Sequence, residues 1–467
     1  MSPASSTSSS PAHPSGPAVM WFRRDLRLAD NPALLEACAS GGDDGVLPLF
    51  VLDPALWGPA GPSRRSHLVD SLAALDASLR SRRTRLSVVE GDPVREVVAA
   101  AREVGAREVH VAADFGPYGA QRDARVEEAL AEHDVVLVRT GSPYAVGPGR
   151  VTKPDGTPYQ VFTPFSKAWA SHGWRAPVDA PTGLHGLELA STVDLPEVEL
   201  PEGLTLPPAG EKAAAERWAT YVADHVGDYA DERDRPDLDT TSRMSVHLKY
   251  GEIHPRTMLA DLGRSAGQGR TTYRSELAWR EFYADVLHHR PETARDYLKP
   301  EYARMPYDEP GDAFDAWREG RTGFPVVDAG MRQLRAVGWM HNRVRMINAS
   351  FLVKDLHVEW QHGARHFLHW LVDGDLASNQ HGWQWTAGSG TDASPFFRVF
   401  NPTGQGRKFD PRGEYVRRWV PELRDLPDGA DPHEPTPEQR EAVGYPAAIV
   451  DHKAERVEAL DRWETIR

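Results

Sequence analysis

The chain has 467 residues, of which 40% are hydrophobic, and it carries a formal net charge of -14 at pH 7. A chain of this length can bury two or more hydrophobic cores of ordinary domain size. The net charge argues against a generally basic nucleic-acid-binding surface, but it does not exclude a local basic groove. The single cysteine, Cys38, excludes an intramolecular disulfide and any cysteine-based metal cluster, and it fits a reducing compartment.

The N-terminal residues predict neither a membrane anchor nor a signal peptide. Residues 1–17 are rich in Ser, Pro and Ala and have no basic start and no apolar core, so we expect a disordered tail. No run of about twenty apolar residues occurs in the chain, so no membrane-spanning helix is expected. We therefore expect a cytoplasmic protein. Because no heptad pattern or long exposed apolar helix is evident, we also expect a monomer.

Residues 18–140 alternate short apolar runs with stretches of helical spacing. Strands are predicted at Val19–Phe22, Val46–Leu52, Leu86–Val89, Val109–Ala113 and Val135–Val138. Helices are predicted between them at Pro32–Cys38, His67–Arg80, Pro93–Glu103 and Ala120–His133. Strands joined by single helices favour a parallel sheet with helices on both faces, so this part is predicted to be a doubly wound α/β domain.

Residues 141–467 divide into an irregular connection and a helical region. Residues 141–210 form a connection rich in Pro, Gly and Thr, in which Phe162–Trp169 is compatible with one helix. Over residues 211–467 the pattern is helical almost throughout, which predicts a separate all-helical domain. Its main helices are expected at Glu211–Tyr229, Ser275–His289, Val326–Val337, Met340–Leu356 and Ala364–Leu371.

The octapeptide Trp339–Met346 places unusual groups on one predicted helix. Asn342 and Met346 are one turn apart on the same face, and Arg345 lies beside them. An amide, a thioether and guanidinium groups on one surface are suited to contact a nucleobase and a phosphate. On these residues alone, an ordinary amphipathic helix with solvated arginines remains an equal alternative.

A second polar segment, residues 373–385, lies between predicted helices. It combines two carboxylates and two amides with Trp383 and Trp385. This composition favours the wall of a cofactor site. A solvated loop is the alternative, and the two tryptophans would be poorly placed in one.

Two other motifs are weaker. His362, His366 and His369 have the spacing of ligands on one helix, but no Glu follows the first His and Arg365 would repel a cation. We therefore expect no metal site there. The chain has no P-loop, and residues 388–390 lack the strand-to-helix context of a dinucleotide fingerprint.

Nearly the whole chain, from Val19 to about Trp463, resembles the photolyase and cryptochrome family. The resemblance rests on Trp21–Arg27 with the Asp30–Asn31 that follow, and on the stretch from Gly323 through Leu423. It implies an α/β domain that holds an antenna chromophore and a helical domain that binds FAD. It also implies an enzyme, a deoxyribodipyrimidine photolyase, in which excited reduced FAD passes an electron to a flipped-out cyclobutane pyrimidine dimer in DNA.

The resemblance implies a set of FAD contacts in the helical domain. They are Tyr229, Thr241, Ser242, Arg243, Met244, Ser245, Arg345, Asp373, Gly374, Asp375 and Asn379. Hydroxyls and backbone amides in such a segment can bind the pyrophosphate. Arg345 should pair with Asp373 near the isoalloxazine ring. Asn379 matches the residue that faces the flavin N5, where photolyases carry Asn, plant cryptochromes Asp and animal cryptochromes Cys.

The resemblance places a second set of residues around the dimer and the DNA strand. They are Arg233, Glu276, Trp279, Arg280, Asn342, Arg343, Met346, Trp385, Arg398, Gln405 and Lys408. Trp279 and Trp385 can stack on the extruded thymine rings. Glu276 can hydrogen-bond to the dimer and stabilise its radical anion, while the basic residues contact phosphates. The pair His341–Asn342 favours the cyclobutane lesion, because six-four photolyases carry His-His there.

The family reduces its resting flavin through a chain of three aromatic residues. Trp383, nearest the flavin, and Trp360 match the first two positions. The third position, usually Trp, is Tyr307, so the surface end of the chain would be a tyrosine, which must lose a proton on oxidation. The alternative is that Tyr307 is an ordinary surface loop residue.

Residues 114–123 indicate which antenna chromophore is bound. Residues 114–123 resemble the Pro-Tyr-Gly pattern of deazaflavin-binding members and lack the Asn-Glu pair of folate-binding members. We expect 8-hydroxy-5-deazaflavin, with methenyltetrahydrofolate or no antenna as alternatives, and with Arg64, Tyr118 and Lys249 beside it.

Two other hypotheses for the function are a cryptochrome that signals through a partner and a light-independent flavin electron carrier. Asn379 weighs against the first.

Overall fold

The computed structural model describes residues 16–263, 267–391 and 397–467. The predicted disordered tail, residues 1–17, therefore lies outside the described residues except for its last two positions. Within the described ranges, no helix is long and apolar enough to cross a bilayer.

A five-stranded sheet forms the N-terminal half. Its strands are β1 (Ala18–Phe22), β2 (Val46–Leu52), β3 (Ser87–Glu90), β4 (Glu108–Val111) and β5 (Val136–Arg139). They lie in the order β3-β2-β1-β4-β5, and every neighbouring pair is parallel. The predicted doubly wound α/β fold is confirmed. The strand order reverses between β1 and β4, which is the place where open sheets of this kind bind ligands.

Each helix of this half has proline at its first position, and three of the five have a short polar N-cap residue before it. The helices are α1 (Pro32–Gly41), α2 (Pro54–Trp57), α3 (Pro62–Arg80), α4 (Pro93–Val104) and α5 (Pro117–Ala131). The side chains of Asn31, Asp53 and Asp92 each accept a hydrogen bond from a backbone N–H of the first turn. α3 begins at Pro62 and not at His67 as predicted, because Gly61 and Pro62 provide an earlier start.

The connection between the halves contains one helix, α6 (Phe162–His172), as predicted. Further along, its backbone returns to the sheet: Val46 N–H donates to His185 O at 2.8 Å, and Leu187 N–H donates to Val46 O at 2.8 Å. The connection therefore packs on the N-terminal half instead of extending freely between the halves.

The C-terminal half is helical. Its helices are α7 (Glu211–Asp224), α8 (Tyr229–Glu232), α9 (Ser245–Tyr250), α10 (Pro255–Leu262), α11 (Gln268–His289), α12 (Asp312–Glu319), α13 (Pro325–Val337), α14 (Asn342–Lys354), α15 (Trp360–Trp370), α16 (Leu376–Ala387), α17 (Pro402–Phe409), α18 (Glu414–Trp419), α19 (Pro437–Val443) and α20 (His452–Glu464). Short 3-10 helices occur at Gly42–Asp44, Pro291–Ala294, Pro300–Arg304 and Pro421–Asp425. The largest core cluster includes the fully buried Trp317, Phe351, Trp360 and Tyr415.

The helix predicted over Glu211–Tyr229 is wrong in its extent. The backbone N–H groups of His225 and Val226 both bond to Tyr221 O at 3.0 Å, which closes α7. The chain then turns before α8 begins at Tyr229.

The segment 373–385 is not a connection between helices over most of its length. Asp375 caps α16, since its Oδ1 accepts a hydrogen bond from Ser378 N–H at 3.0 Å, and the helix then continues through Ala387. In the same way His341 caps α14, because its Nδ1 accepts from Arg343 N–H at 3.2 Å. α14 therefore begins at Asn342 and not at Met340.

Glu252 joins the two halves through a buried network. Its Oε1 accepts hydrogen bonds from Ser71 Oγ and Gly210 N–H, both at 2.6 Å, and His247 Nδ1 contacts Oε2. His67 Nε2 lies 3.3 Å from Oε1. Burial would raise the pKa of Glu252, but His247 and His67 hold it at about 2. The two His and Glu252 are close enough to hold a metal ion. Both carboxylate oxygens already have partners, so we assign the cluster to stability.

We predict that Glu252→Ala lowers the free energy of unfolding by about 3–5 kcal/mol, because it leaves buried donors without their charged acceptor. The first transition in urea unfolding measures the loss. Since the pKa of Glu252 is depressed from 4.5 to about 2, its stabilisation is complete above the ordinary value and is lost as pH falls towards 2. Glu216→Ala, an exposed change on α7, is the control. A loss no larger than the control's contradicts this role.

Candidate functional site

Helix α16 brings the predicted site residues together. It packs against α11, α14 and α15, which carry eight of the other predicted residues. Asn379, Trp383 and Trp385 are on α16 itself, so residues of the cofactor, electron-transfer and substrate sets share one helix. The fold therefore places the three predicted sets around one element.

The expected ion pair between Arg345 and Asp373 is present. Arg345 Nη2 donates to Asp373 Oδ2 at 2.8 Å, and Arg345 Nε donates to Met340 O at 2.8 Å. The Asp373 side chain is only 2% exposed, and its Oδ1 is buried with no hydrogen-bond partner among the described residues. A buried carboxylate oxygen without a partner is costly unless a bound group supplies a donor. Asp373 is thus prepared to accept from a ligand N–H or O–H.

The loop before α9 offers hydrogen-bond donors, whereas Asp373 offers an acceptor. The hydroxyls of Thr240 and Thr241 and the Nε of Arg243 are buried without a partner within the described ranges. Arg243 has a φ of 54°, a left-handed conformation that is uncommon outside glycine and often marks a binding site. Its guanidinium pairs with Asp239 and lies 4.7 Å from the Trp339 ring centroid. Hydroxyl and guanidinium donors in this loop suit a phosphate group.

Other members of the predicted FAD set support this loop. Ser242 Oγ lies 2.7 Å from Tyr273 Oη, Met244 is buried, and Ser245 is exposed at the start of α9. Tyr229 packs against Tyr273 with ring centroids 5.0 Å apart. Burial, together with Glu276, raises the pKa of Tyr229 well above its usual range, so its hydroxyl stays protonated.

Asn379 has a fixed orientation. Its Nδ2 donates to Ala364 O at 3.2 Å and to Gln380 Oε1 at 2.8 Å. Gln380 is itself held, since its Nε2 donates to Ala294 O at 2.6 Å. Both amide donors of Asn379 are therefore used within the protein, and its carbonyl oxygen is left to accept a hydrogen bond. That is the polarity required opposite the N–H of a reduced flavin ring.

The side chain of Asp375 and the small size of Gly374 serve the local fold of the predicted FAD site. The Asp375 carboxylate caps α16 and pairs with Arg24 Nη2 at 2.7 Å. Although burial would raise it, Arg24 and then Lys249 hold the pKa of Asp375 well below its usual range. A Cβ at Gly374 would lie 3.3 Å from Arg64 Cδ, so this position favours a residue without a side chain. The Asp375 side chain is committed to the fold.

Two ion pairs fasten the chain after α8 to the predicted substrate residues. Arg233 Nη1 lies 2.7 Å from Glu276 Oε1, and Arg343 Nη2 lies 2.8 Å from Asp234 Oδ2. Burial raises the pKa of Glu276, while Arg233 opposes this shift. The Arg343 guanidinium and the Lys408 ammonium lie 4.5 and 5.0 Å from the ring centroid of Phe409. Residues from α11, α14 and α17 thus meet at one surface.

Trp279 on α11 has one face covered. Its ring stacks on Phe162 of α6, with centroids 3.7 Å apart and an interplanar angle of 8°. The side chain is half-buried, so part of it remains accessible. Asn342, Lys408 and Arg398 are exposed, and Met346, Trp385 and Gln405 are half-buried. Arg398 also accepts a bond from Lys354 Nζ through its backbone oxygen.

Arg280 makes its hydrogen bonds to backbone oxygens, and its contact with the substrate stays a prediction. Its guanidinium donates to Pro143 O at 3.0 Å and to Leu248 O at 3.3 Å. It also lies 4.7 Å from the Tyr144 ring centroid. These backbone oxygens belong to the connection and to α9.

The aromatic residues of the electron-transfer set lie in the core. Trp383 packs 4.9 Å from Phe367, and a Cβ at Gly363 would collide with Trp383 Cη2 at 2.1 Å. Trp383 of α16 therefore packs directly against Gly363 of α15, which is one turn after Trp360 at the start of that helix. The close approach requires a glycine at position 363.

The Tyr307 side chain is half-buried. Its hydroxyl is buried without a hydrogen-bond partner of good geometry among the described residues. The segment is covered by α20, from which Arg462 Nη1 donates to Pro306 O at 3.1 Å and pairs with Asp308 at 2.9 Å. Burial raises the pKa of Tyr307 above its usual range. The hydroxyl is therefore shielded from bulk water.

The predicted antenna residues are only partly brought together. Burial, together with Arg24, lowers the pKa of Lys249 to about 7, and Arg64 is among its charged neighbours. Tyr118 lies elsewhere along the sheet edge, where its hydroxyl donates to Asp53 Oδ2 at 2.5 Å. These residues lie near the carboxyl ends of β1, β2 and β4.

Sequence reasoning misses three residues of this site. Arg24 stands in a motif that identifies the family, but no role follows from the motif alone. Phe162 and Tyr297 contact Trp279 and Trp360, respectively, from segments far away in sequence. No local pattern signals such contacts, because they depend on tertiary packing.

Comparisons with known proteins cover nearly the whole chain. A family model described as DNA photolyase matches residues 18–182, and one described as the FAD binding domain of DNA photolyase matches residues 273–465. The deoxyribodipyrimidine photo-lyase of Streptomyces griseus is 42% identical over 465 residues, covering 96% of this chain and 99% of that protein. Its namesake from Escherichia coli strain K12 is 38% identical over 472 residues, covering 96% and 98%.

Solved structures give the same picture. A bacterial class III photolyase from Agrobacterium tumefaciens has a TM-score of 0.88 and 36% identity, covering 99% of both chains. An archaeal photolyase from Sulfolobus tokodaii, solved with two FAD molecules, has a TM-score of 0.83 and 28% identity. It covers 96% of this chain and 99% of its own.

Proposed function

The chain belongs to the DNA photolyase family, and from this premise we propose that it is a light-driven enzyme that repairs cyclobutane pyrimidine dimers in DNA. When bound and reduced, FAD supplies the chemistry: excited by light, it gives an electron to the dimer, whose ring opens before the electron returns. The observation that carries the proposal is the buried Asp373, paired with Arg345 on one oxygen and unpartnered on the other.

The polar groups of the helical half fit FAD. Asp373 Oδ1 accepts from a donor of the cofactor, and Asn379 offers its carbonyl oxygen to the flavin ring. Thr241 and Arg243 supply donors for the pyrophosphate. Each of these atoms is without a partner or has its other bonds already satisfied, so FAD can satisfy them with no rearrangement of the backbone.

The substrate residues hold an extruded dimer against this site. Trp279, stabilised from behind by Phe162, gives a rigid aromatic platform for a thymine ring, and Trp385 on α16 gives a second. Glu276 can hydrogen-bond to the carbonyl or imide edge of the dimer, and burial shifts its pKa upwards, towards the protonated form that can donate to a carbonyl where negative charge develops. Arg233 keeps that carboxyl group in place.

Damaged DNA is the partner, and the protein acts as a monomer in the cytoplasm. Arg343 and the exposed Lys408 form a local basic surface despite the net charge of -14. The domain limits proposed are residues 18–140 for the antenna domain, 141–210 for the connection and 211–467 for the FAD domain.

Binding in the dark tests this proposal independently of photochemistry. We expect tighter binding to a duplex with one thymine cyclobutane dimer than to the undamaged duplex, measured by fluorescence anisotropy across a salt series. Lys408→Ala should weaken both complexes equally and reduce the slope of log K against log salt by about one. Lys212→Ala on α7 is the control, because Lys212 is exposed and faces Glu216. Equal affinity for the two duplexes contradicts the proposal.

Glu276→Ala should lower repair per absorbed photon several-fold while FAD stays bound, because Glu276 acts on the dimer and not on the cofactor. Glu276→Gln, which keeps a donor, should retain more activity. The quantum yield of repair and the FAD content of the purified variants are measured together. An unchanged quantum yield in Glu276→Ala removes this role.

We propose 8-hydroxy-5-deazaflavin as the antenna, bound near the carboxyl ends of β1 and β4. Arg24 supplies positive charge suited to an anionic chromophore, and the strand order reverses at this edge. Reconstitution with the deazaflavin should add its absorption band to the spectrum. Binding of methenyltetrahydrofolate instead, or of neither compound, is the contrary result.

A further inference from the structure

Tyr297 lies between the two outer members of the predicted electron-transfer chain. Its ring centroid is 6.1 Å from that of Trp360, with the rings nearly perpendicular at 82°. Its other neighbour is Tyr307, stacked at 6.2 Å with an interplanar angle of 16°. Tyr297 is 7% exposed and Trp360 is fully buried. An electron moving outwards from Trp360 therefore meets Tyr297 in direct ring contact.

Oxidation of a tyrosine requires an acceptor for its hydroxyl proton. Tyr297 Oη donates to Glu359 Oε1 at 2.9 Å. Glu359 immediately precedes Trp360 and is half-buried, so the carboxylate is held next to the chain while remaining open to solvent. The Tyr307 hydroxyl faces that of Tyr297, and it makes no hydrogen bond of good geometry to a carboxylate among the described residues. Within the part of the chain that the structure describes, Tyr297 is the tyrosine that combines ring contact with Trp360 and a carboxylate on its hydroxyl.

Burial, followed by the influence of Tyr307, raises the pKa of Tyr297 above its usual range. The hydroxyl therefore keeps its proton until the ring is oxidised. Loss of the electron makes a phenol strongly acidic, and the proton then moves along the existing hydrogen bond. No reorientation of either side chain is required.

We propose that Tyr297, and not Tyr307, is the terminal electron donor, and that Glu359 is its proton acceptor. This inference rests on the proposed function, because the oxidant is the light-excited oxidised flavin acting through Trp383 and Trp360. One electron passes from Tyr297 to the Trp360 radical cation, which returns to neutral tryptophan. The Tyr297 O–H bond breaks, an O–H bond forms on Glu359 Oε1, and a neutral tyrosyl radical remains. Tyr307 is a positioning residue that holds the Tyr297 ring by stacking.

The experiment uses holoenzyme with oxidised FAD, illuminated and examined by transient absorption and by electron paramagnetic resonance of freeze-trapped samples. The wild-type protein should show a neutral tyrosyl radical. Tyr297→Phe should lose this signal, whereas the matched variant Tyr307→Phe should keep it. Glu359→Gln should slow formation of the tyrosyl radical, because the amide is a much weaker base than the carboxylate. It should also shift the pH profile of that step.

Three results overturn the inference: a wild-type-like signal in Tyr297→Phe, loss of the signal in Tyr307→Phe with retention in Tyr297→Phe, or no tyrosyl radical in the wild-type protein. Repair by chemically reduced enzyme separates these failures from failure of the proposed function. All three variants should repair dimers as the wild-type protein does once FAD is reduced with dithionite. Absence of repair in the reduced wild-type protein counts against the proposed function itself.

Discussion

Trp383→Phe abolishes light-driven reduction of oxidised FAD and leaves repair by chemically reduced protein intact. Trp383 is 3% exposed and packs against Gly363 of α15, one turn from Trp360, so it is placed to pass an electron between the cofactor site on α16 and the core. Phenylalanine is much harder to oxidise than tryptophan, so it fills the space without supplying an electron. Because the ring is replaced by a smaller one, FAD binding should persist.

The measurement is the bleaching of oxidised flavin under blue light with an external thiol, in parallel with dimer repair after reduction by dithionite. Trp317→Phe is the matched control, because Trp317 is also buried and its ring centroid lies 6.2 Å from that of Trp383. The control should bleach at nearly the wild-type rate. Persistent bleaching in Trp383→Phe would show that the electron follows another route.

Asp373→Ala has the second large effect, loss of FAD from the purified protein. The substitution breaks a largely buried ion pair with Arg345. It also removes Asp373 Oδ1, which has no protein partner among the described residues and can accept a hydrogen bond from a ligand. Removing one partner of a buried ion pair costs about 3–5 kcal/mol. If that cost falls on the bound state, FAD retention weakens by about two to four orders of magnitude.

The FAD-to-protein ratio after gel filtration and the dissociation constant from flavin fluorescence measure this effect. Asp315→Ala is the control, because Asp315 forms an exposed pair with Arg318 on α12 and such pairs contribute little. Circular dichroism should show the helical content preserved in both variants. Full FAD content in Asp373→Ala would place the cofactor away from this carboxylate.

The sequence predicts the sheet well because hydrophobic periodicity and capping residues are local. Val46–Leu52 is apolar throughout, as a strand buried on both faces must be, and its limits are those of β2. Asp92 with Pro93 likewise predicts the start of α4. The pair Arg345–Asp373 is predicted through family resemblance, and it forms because both residues lie on elements that the core holds rigidly.

The local sequence does not predict the contacts of two of the site side chains. Arg280 is in the expected helix, but oxygens of Pro143 and Leu248 bind its guanidinium. The Tyr307 hydroxyl is buried because α20 returns over it from the far end of the chain. Both outcomes depend on segments that are distant in sequence, so neither periodicity nor a local motif could predict them.

The role of Tyr297 is hidden for the same reason. A tyrosine ten residues before the expected donor carries no local signal, and its function depends on Trp360 and Glu359 at the start of α15. The 3-10 turns at Pro291–Ala294 and Pro300–Arg304 flank Tyr297 and hold its segment against that helix end. Packing, and not composition, therefore identifies the residue.

The most direct test of the central claim is blue-light-dependent loss of thymine cyclobutane dimers from an oligonucleotide treated with the purified protein after its flavin has been reduced. Dark samples and an oligonucleotide with a six-four lesion are the controls. We predict restoration of thymines from the cyclobutane lesion in the light and no change in either control. No repair by fully reduced, DNA-bound protein would contradict the account and favour a light-sensing role.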